Sequence, residues 1–316
     1  MPLSPPVPSD LPALVDAFEQ TLRAVLDLGQ GCTTDDFGLA TECPGWTVQD
    51  QLAHVSSIEV AIAGGAEPPE VPDLPHVLNE FGRYMERGVA ERRWWSGQRV
   101  VDELADVIDR RMAALRAPGL TAETPVTLPL SISLPATTLG ELMVLRTRDV
   151  WAHEQDIRVA LGRPGGLDTV GAAIFTQTVF RSLGLLSSRV ARVPAGEVVV
   201  LESTGPVVGV AGVRIGVRDD GKPLGIGLSD AEIQSLRAGI GSAGDGTSDS
   251  AGSGTEVIEP TAGVIGATAG VTWISIDTEA LTRRGGGRRS TDATPYAVSG
   301  DPGIARAVVE ALVITP

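Results

Sequence analysis

The reading of this chain turns on one stretch, Arg146-Thr147-Arg148-Asp149-Val150-Trp151-Ala152-His153-Glu154-Gln155-Asp156-Ile157-Arg158. It lies within a run from about residue 138 to 161 that stops at Gly162-Arg163-Pro164-Gly165-Gly166, the Gly-then-Pro ending expected of a helix. On a helix, Asp149 and His153 are four apart and project from one face, one turn above the other. A histidine contributed by a distant helix completes a set of two imidazoles and one carboxylate. Such a set holds a divalent metal ion and leaves coordination positions open. A second phrase, Cys43-Pro44-Gly45-Trp46-Thr47-Val48-Gln49-Asp50-Gln51-Leu52-Ala53-His54, offers that histidine. Thr47 reads as an N-cap with Asp50 as its capping-box partner, which predicts a helix over 48–64 with His54 about two turns in.

Outward from these phrases, apolar residues Leu11, Leu14, Val15, Phe18, Leu22, Val25 and Leu26 fall on one stripe and predict a helix over 10–29. Residues 77–116 read as two helices with a break near Ser96-Gly97, and 168–188 as another. After Pro194 the pattern changes to Val-rich runs with glycine breaks, 197–202 and 207–217, which read as strands. Val271–Ile276 reads as a strand, Asp277 as the cap of a short helix to Arg284, residues 296–301 as strand and cap, and 302–313 as a last helix. Residues 241–255 are low in complexity and read as a flexible Gly/Ser-rich insertion.

At 316 residues, with 42% hydrophobic and 21% charged residues, the chain has the composition of a soluble globular protein of two modest domains. No run of about 18 apolar residues is present, and the N-terminus has neither a basic nor an apolar leader segment. Both points predict a cytoplasmic protein with no membrane partner. A net charge of −15 argues against a nucleic-acid partner, because phosphate backbones are bound by clustered positive charge. Lys222 is the only lysine among the basic residues. Cys32 and Cys43 form no Cys-x-x-Cys pair and read as free thiols packed near the first helix junction. No Gly-x-Ser-x-Gly elbow is present, and nothing supports a serine or cysteine nucleophile.

Together the two phrases resemble the mycothiol-dependent maleylpyruvate isomerase family, the actinobacterial branch of the DinB-like metal-binding bundles. In that family a histidine follows a Pro-Gly-Trp-Thr/Ser-Val helix start, and a later helix carries Arg-x-x-Glu/Asp-x-x-x-His. The pattern falls on His54, Asp149 and His153, with Asp149 standing where better-known members have Glu. Val298-Ser299-Gly300-Asp301 through to Pro316 also resembles the family's C-terminal domain, a small α/β layer similar to sterol carrier protein folds. The resemblance implies α plus α/β architecture. A DinB-like up-down helical bundle would span 8–190 and a small α/β domain 191–316. It further implies a divalent metal, zinc, held by His54, Asp149 and His153, and mycothiol as the thiol cosubstrate. The thiol would lose its proton beside the metal and attack a small electrophile, as an isomerase or an S-transferase. The alternative is a module of the same fold that binds a metal or small molecule without chemistry.

Several other residues carry more than one reading. Asp156 shares the ligand face and either accepts a hydrogen bond from a ligand imidazole, takes a coordination position, or pairs with an arginine. Glu154 points about 100° away. Arg146, Arg148 and Arg158 read as weak helix-face ion pairs or as partners for a substrate carboxylate. Trp46 and Trp151 read as core anchors, and His76, in a Pro-rich connector, as a surface residue. Arg283-Arg284-Gly285-Gly286-Gly287-Arg288-Arg289 reads as a solvated basic loop, or as an arginine hook, Arg288 foremost, closing over an anionic substrate.

Overall fold

The first helix, α1 (Leu11–Gln30), starts where Asp10 accepts a hydrogen bond from the Ala13 N–H, with a proline in its first turn. In the computed structural model, which describes residues 3–132, 135–242 and 270–315, α1 opens a helical unit spanning Val7–Gly166. The Thr47–Asp50 capping box is formed and starts α2 (Val48–Ile62). The break near Ser96-Gly97 separates α3 (Glu80–Arg92) from α4 (Gly97–Leu115), with the Ser96 side chain capping α4. A second capping box, Thr138 with Glu141, starts α5 (Leu139–Leu161), and Gly162 ends it in the left-handed conformation at φ 62°.

These helices pack because each buries an apolar stripe. α1 lies against α4 and α5, and α2 lies against α3, α4 and α5. Phe18, Leu22, Leu52, Leu104, Ile108, Leu142, Met143 and Ile157 are among the fully buried core residues. Each such side chain contributes about 1.5–3 kcal/mol by leaving water. α2 differs from the other helices in being buried on nearly every face, polar residues included. Asp50, Gln51, His54, Ser56, Ser57 and Glu59 all lie inside. A helix enclosed on all sides places its polar residues in a low dielectric, where each needs a partner.

The second unit comprises Met1–Pro6 and Leu167–Pro316. It begins with α6 (Val170–Leu185), which runs into a single π-helical turn, Leu186–Val190. Its five-stranded sheet has the order β3-β2-β1-β4-β5, from β1 (Val198–Thr204), β2 (Val208–Val217), β3 (Pro223–Gly227), β4 (Val271–Ile276) and β5 (Ala297–Ser299). β1 and β4 pair in parallel and the other neighbours antiparallel, so the sheet is mixed. The helices are α7 (Asp230–Ser242), α8 (Thr278–Gly285) and α9 (Pro302–Ala311). α6 packs on β2, β3 and α8, and α9 on β4 and β5. A Cβ on Gly225 would stand 2.4 Å from the Gly184 Cα, so only glycine permits α6 and β3 to approach so closely.

The architecture is therefore a helical N-terminal region followed by a small mixed-sheet α plus β region. Several features differ from the sequence-based expectations. α6, read as a helix leading out of the bundle yet counted within 8–190, groups with the sheet. β3 and α7 are additions to the expected elements, although Ser229 and Glu232 form a capping box that starts α7. Val170–Val190 is long and apolar enough by composition to cross a bilayer, although no purely apolar run exists. About 56% of its most apolar window is buried in the protein, as in the core helix of a globular fold. The expected Gly/Ser-rich insertion at 241–255 lies, apart from its first two residues, outside the described residues.

Candidate metal centre

α2 and α5 together bring His54, Asp149 and His153 into one group whose candidate donor atoms all lie within 4.8 Å of one another. His54 Nε2 is 3.3 Å from Asp149 Oδ2, and His153 Nε2 is 3.8 Å from Asp149 Oδ1. The two imidazole centroids are 4.4 Å apart. Zinc bonds of about 2.1 Å to nitrogen and oxygen in a tetrahedron set its donors about 3.4 Å apart, close to these separations. Both histidines are buried, and Asp149 keeps 32% of its side chain exposed, so the group meets solvent on the carboxylate side. The shorter aspartate reaches both imidazoles from its place on α5.

The outer nitrogen of His153 is committed. Its Nδ1 lies 2.6 Å from Gln51 Oε1, which requires the proton on Nδ1 and leaves Nε2 with its lone pair toward Asp149. Gln51 is itself fixed, because its Nε2 donates to Thr41 Oγ1 at 2.8 Å. Asp156 is fully buried with Oδ2 3.7 Å from the same His153 Nδ1, which places it behind the imidazole and outside the three-residue group. His54 has no such backing, and its Nδ1 is buried without a hydrogen-bond partner among the described residues.

Asp149 is held by Arg146, whose Nη1 donates to Oδ2 at 2.7 Å. Arg146 is buried and its Nε donates to Glu59 Oε1 at 2.8 Å, while Arg111 Nε donates to Glu59 Oε2 at 2.7 Å. The expectation of a weak helix-face ion pair at Arg146 is thus corrected. It bridges two carboxylates in a buried cluster, where removing one partner is costly. Burial would push the Asp149 carboxyl up, but Arg146, followed by His54 and His153, outweighs it and holds the group well below the usual carboxylate range. Burial likewise opposes ionisation of Glu59, and the two guanidiniums overcome it and keep the pKa low.

Trp46 stands against the site, where a core-anchor role was expected. Its ring centroid is 5.0 Å from that of His54 and 5.7 Å from that of His153. Its Nε1–H donates to Glu86 Oε2 at 2.8 Å, and Arg93 binds the other Glu86 oxygen. His76, expected on the surface, also faces Glu86 Oε2 at 3.1 Å with only 19% of its side chain exposed. Trp151 is the core anchor expected, its Nε1–H donating to the Gly166 carbonyl. Arg158 pairs with Glu154 at 2.7 Å, and burial raises the Glu154 carboxyl despite that partner. Arg148 has its Nε buried with no hydrogen-bond partner among the described residues, and burial lowers its pKa against the pull of Asp149.

In the second unit the basic stretch 283–289 is not a solvated loop. Arg283 and Arg284 lie in α8 and are buried, with Arg284 donating to the carbonyls of Val309, Glu310 and Arg289. Arg288 is half-buried, and its Nη1 donates to the Gly286 carbonyl at 2.8 Å. Cys32 Sγ–H donates to the Leu28 carbonyl at 3.2 Å, and burial raises the Cys32 thiol.

Sequence reasoning missed Gln51, Glu59 and Glu86. Gln51 had a signal, standing three residues before His54 on the same helix face. Glu59 and Glu86 had none, because their partners come from helices distant in sequence.

Comparison with known proteins bears on the same unit. Residues 18–158 match the family described as the mycothiol maleylpyruvate isomerase N-terminal domain. Comparison with curated protein sequences gave no significant match. Among solved structures, a histidine-to-alanine mutant of mycothiol-dependent maleylpyruvate isomerase is similar at 13% identity with a TM-score of 0.51. The similarity covers 90% of this chain and 92% of that one. The structure titled as the isomerase without that mutation is similar at 13% identity with a TM-score of 0.50, over 91% and 92% of the two chains. At that identity the likeness is one of fold, and it extends over both units taken along the chain. The family match thus falls on residues 18–158, nearly the whole helical unit, while the solved structures resemble the chain in fold alone.

Proposed function

We propose that the protein is a divalent-metal enzyme that uses mycothiol against a small electrophile, with His54, Asp149 and His153 as the metal ligands. The observation that carries the reading is the convergence of two imidazoles and one carboxylate from α2 and α5 within 4.8 Å. Two nitrogens and one oxygen suit zinc and leave room for a further ligand. A divalent ion held there would supply a Lewis acid that lowers the pKa of an arriving thiol and so makes it a nucleophile at neutral pH.

The chain's own residues supply the rest. Gln51 holds the His153 tautomer that presents Nε2. Arg146 fixes Asp149 in its ionised form. Trp46, tethered by Glu86, walls the imidazoles from one side and limits water. Arg148, half-buried beside Asp149 with its Nε unpartnered among the described residues, would meet a carboxylate on the substrate. No protein side chain is assigned as nucleophile. The electrophile is an unsaturated acid, isomerised by addition, rotation and elimination of the thiol, or a reactive compound that keeps the thiol.

Two measurements test this. Elemental analysis of the purified protein should find one divalent metal per chain, lost in His54→Ala and in His153→Ala. Consumption of mycothiol with a panel of electrophiles should stop on chelation and return with zinc. Stoichiometric metal with no turnover of any electrophile would favour the non-catalytic module. Turnover indifferent to chelator would overturn the metal-dependent reading.

A further inference from the structure

A cavity of about 380 Å³ in the second unit is lined by Ser188, Arg189, Arg192, Val193, Lys222 and Pro223. Three of these six are cations, and none is acidic. That is unusual in a chain of net charge −15. Several guanidiniums elsewhere are met by carboxylates, as Arg116 by Asp16, Arg158 by Glu154, Arg237 by Glu202 and Arg306 by Asp292, each at 2.7 Å or less. Arg189 and Arg192 have no ion pair or hydrogen bond from their side chains among the described residues. Lys222 is the chain's one lysine, and Asp220, outside the lining, lies 3.5 Å from its Nζ.

The backbone under these cations is also out of the ordinary. Leu186–Val190 is a π-helical turn, closed by the Ala191 N–H on the Leu186 carbonyl at 2.8 Å. Such turns are rare and recur at functional sites. Arg192 follows it at φ 54°, the one non-glycine residue with positive φ among the described residues. A bulky side chain adopts that conformation at a cost, and an observed outlier of this kind is a pointer to function. Here the turn and the strained residue together bring Arg189 and Arg192 to the same cavity as Lys222 from the start of β3. Of the three cations Asp220 meets Lys222 alone, so the charges of Arg189 and Arg192 repel unless an anion joins them.

We propose that Arg189, Arg192 and Lys222 form a binding site for a small phosphoryl oxyanion, a phosphomonoester or diphosphate group. Three cations exceed what one carboxylate can neutralise, and guanidiniums match phosphate oxygens in pairs. The surrounding negative charge repels a long polyanion and admits a small one. None of these residues is among the proposed metal ligands, and the site does not depend on their assignment.

The test is titration of the full-length protein with inorganic phosphate and pyrophosphate in low salt, followed by calorimetry and by amide shifts at residues 186–193 and 222. Vesicles with and without a phosphoinositide form a second arm. Saturable pyrophosphate binding should weaken about tenfold in each of Arg189→Gln, Arg192→Gln and Lys222→Gln, and fall with added salt. Arg192→Gly should lose the same binding while raising the melting temperature by about 2–4 °C, since glycine relieves the strained φ. Binding to soluble pyrophosphate but not to vesicles assigns the ligand to the soluble pool. Vesicle binding that needs the same three residues assigns it to a headgroup. No saturable binding of either up to about 10 mM, or binding unchanged in all three variants, overturns the proposal.

Discussion

His54 and His153 carry similar rings in similar burial, yet they are supported differently, and the difference is testable. His153 has Gln51 on its outer nitrogen, whereas His54 Nδ1 has no partner among the described residues. Gln51→Leu should therefore weaken metal binding by about 10–100-fold while leaving the helical content unchanged, as read by chelator competition and circular dichroism. An unchanged affinity would show that the Gln51 contact does not matter to the ion. Glu59 acts one step further out. Its pKa is held low by Arg146 and Arg111 against burial, so its contribution to stability is complete above the ordinary unfolded value of about 4.3. As pH falls through the depressed folded value, that contribution is lost. Glu59→Gln should cost on the order of 3 kcal/mol near pH 7, and the gap to the parent should close as the pH drops below about 4 in a denaturation series. A gap that stays constant with pH would mean that Glu59 is not the charged anchor of Arg146.

At the scale of the element, α2 determines what the site is. Its first turn is set by the Thr47–Asp50 box, with Gln51 and His54 following within two turns. Asp50 also takes Arg93 Nε at 2.9 Å, so the cap is tied to the region after α3. Thr47→Ala should lower stability by about 1 kcal/mol and also weaken metal retention, because the turn it frays carries Gln51. Thr138→Ala removes the matching box of α5 and should cost about the same stability. Asp149 lies eleven residues beyond it, so metal retention should stay intact. Equal effects of the two substitutions on metal would show that global stability, not the local turn, controls the site.

For the whole molecule, the apolar core around α1, α2, α4 and α5 draws only on residues between Leu11 and Leu161, and all three proposed ligands fall in the same stretch. The fragment Val7–Gly166 should thus unfold cooperatively and bind one zinc ion, as proposed for the full chain. A fragment that is molten or metal-free would show that the helical unit depends on the rest. Arg288→Ala in the full chain tests the role its sequence context suggested: KM should rise or kcat fall with metal content unchanged, and unaltered kinetics would leave Arg288 as a cap on the Gly286 carbonyl. What the sequence determined by itself were the features written locally. Capping residues, a four-residue Asp–His spacing and glycine stops are short-range signals, so the helix starts, the ends of α5 and the pairing of Asp149 with His153 could all be read directly. Only the tertiary structure decided that α2 is enclosed on every side, which turns Gln51 and Glu59 from ordinary polar residues into the supports of the site. It also decided that Trp46 and His76 converge on Glu86, that α6 packs on the sheet, and that Arg189, Arg192 and Lys222 share a cavity. Those facts depend on which distant elements meet, and contacts made across the fold leave no periodicity in the chain to read.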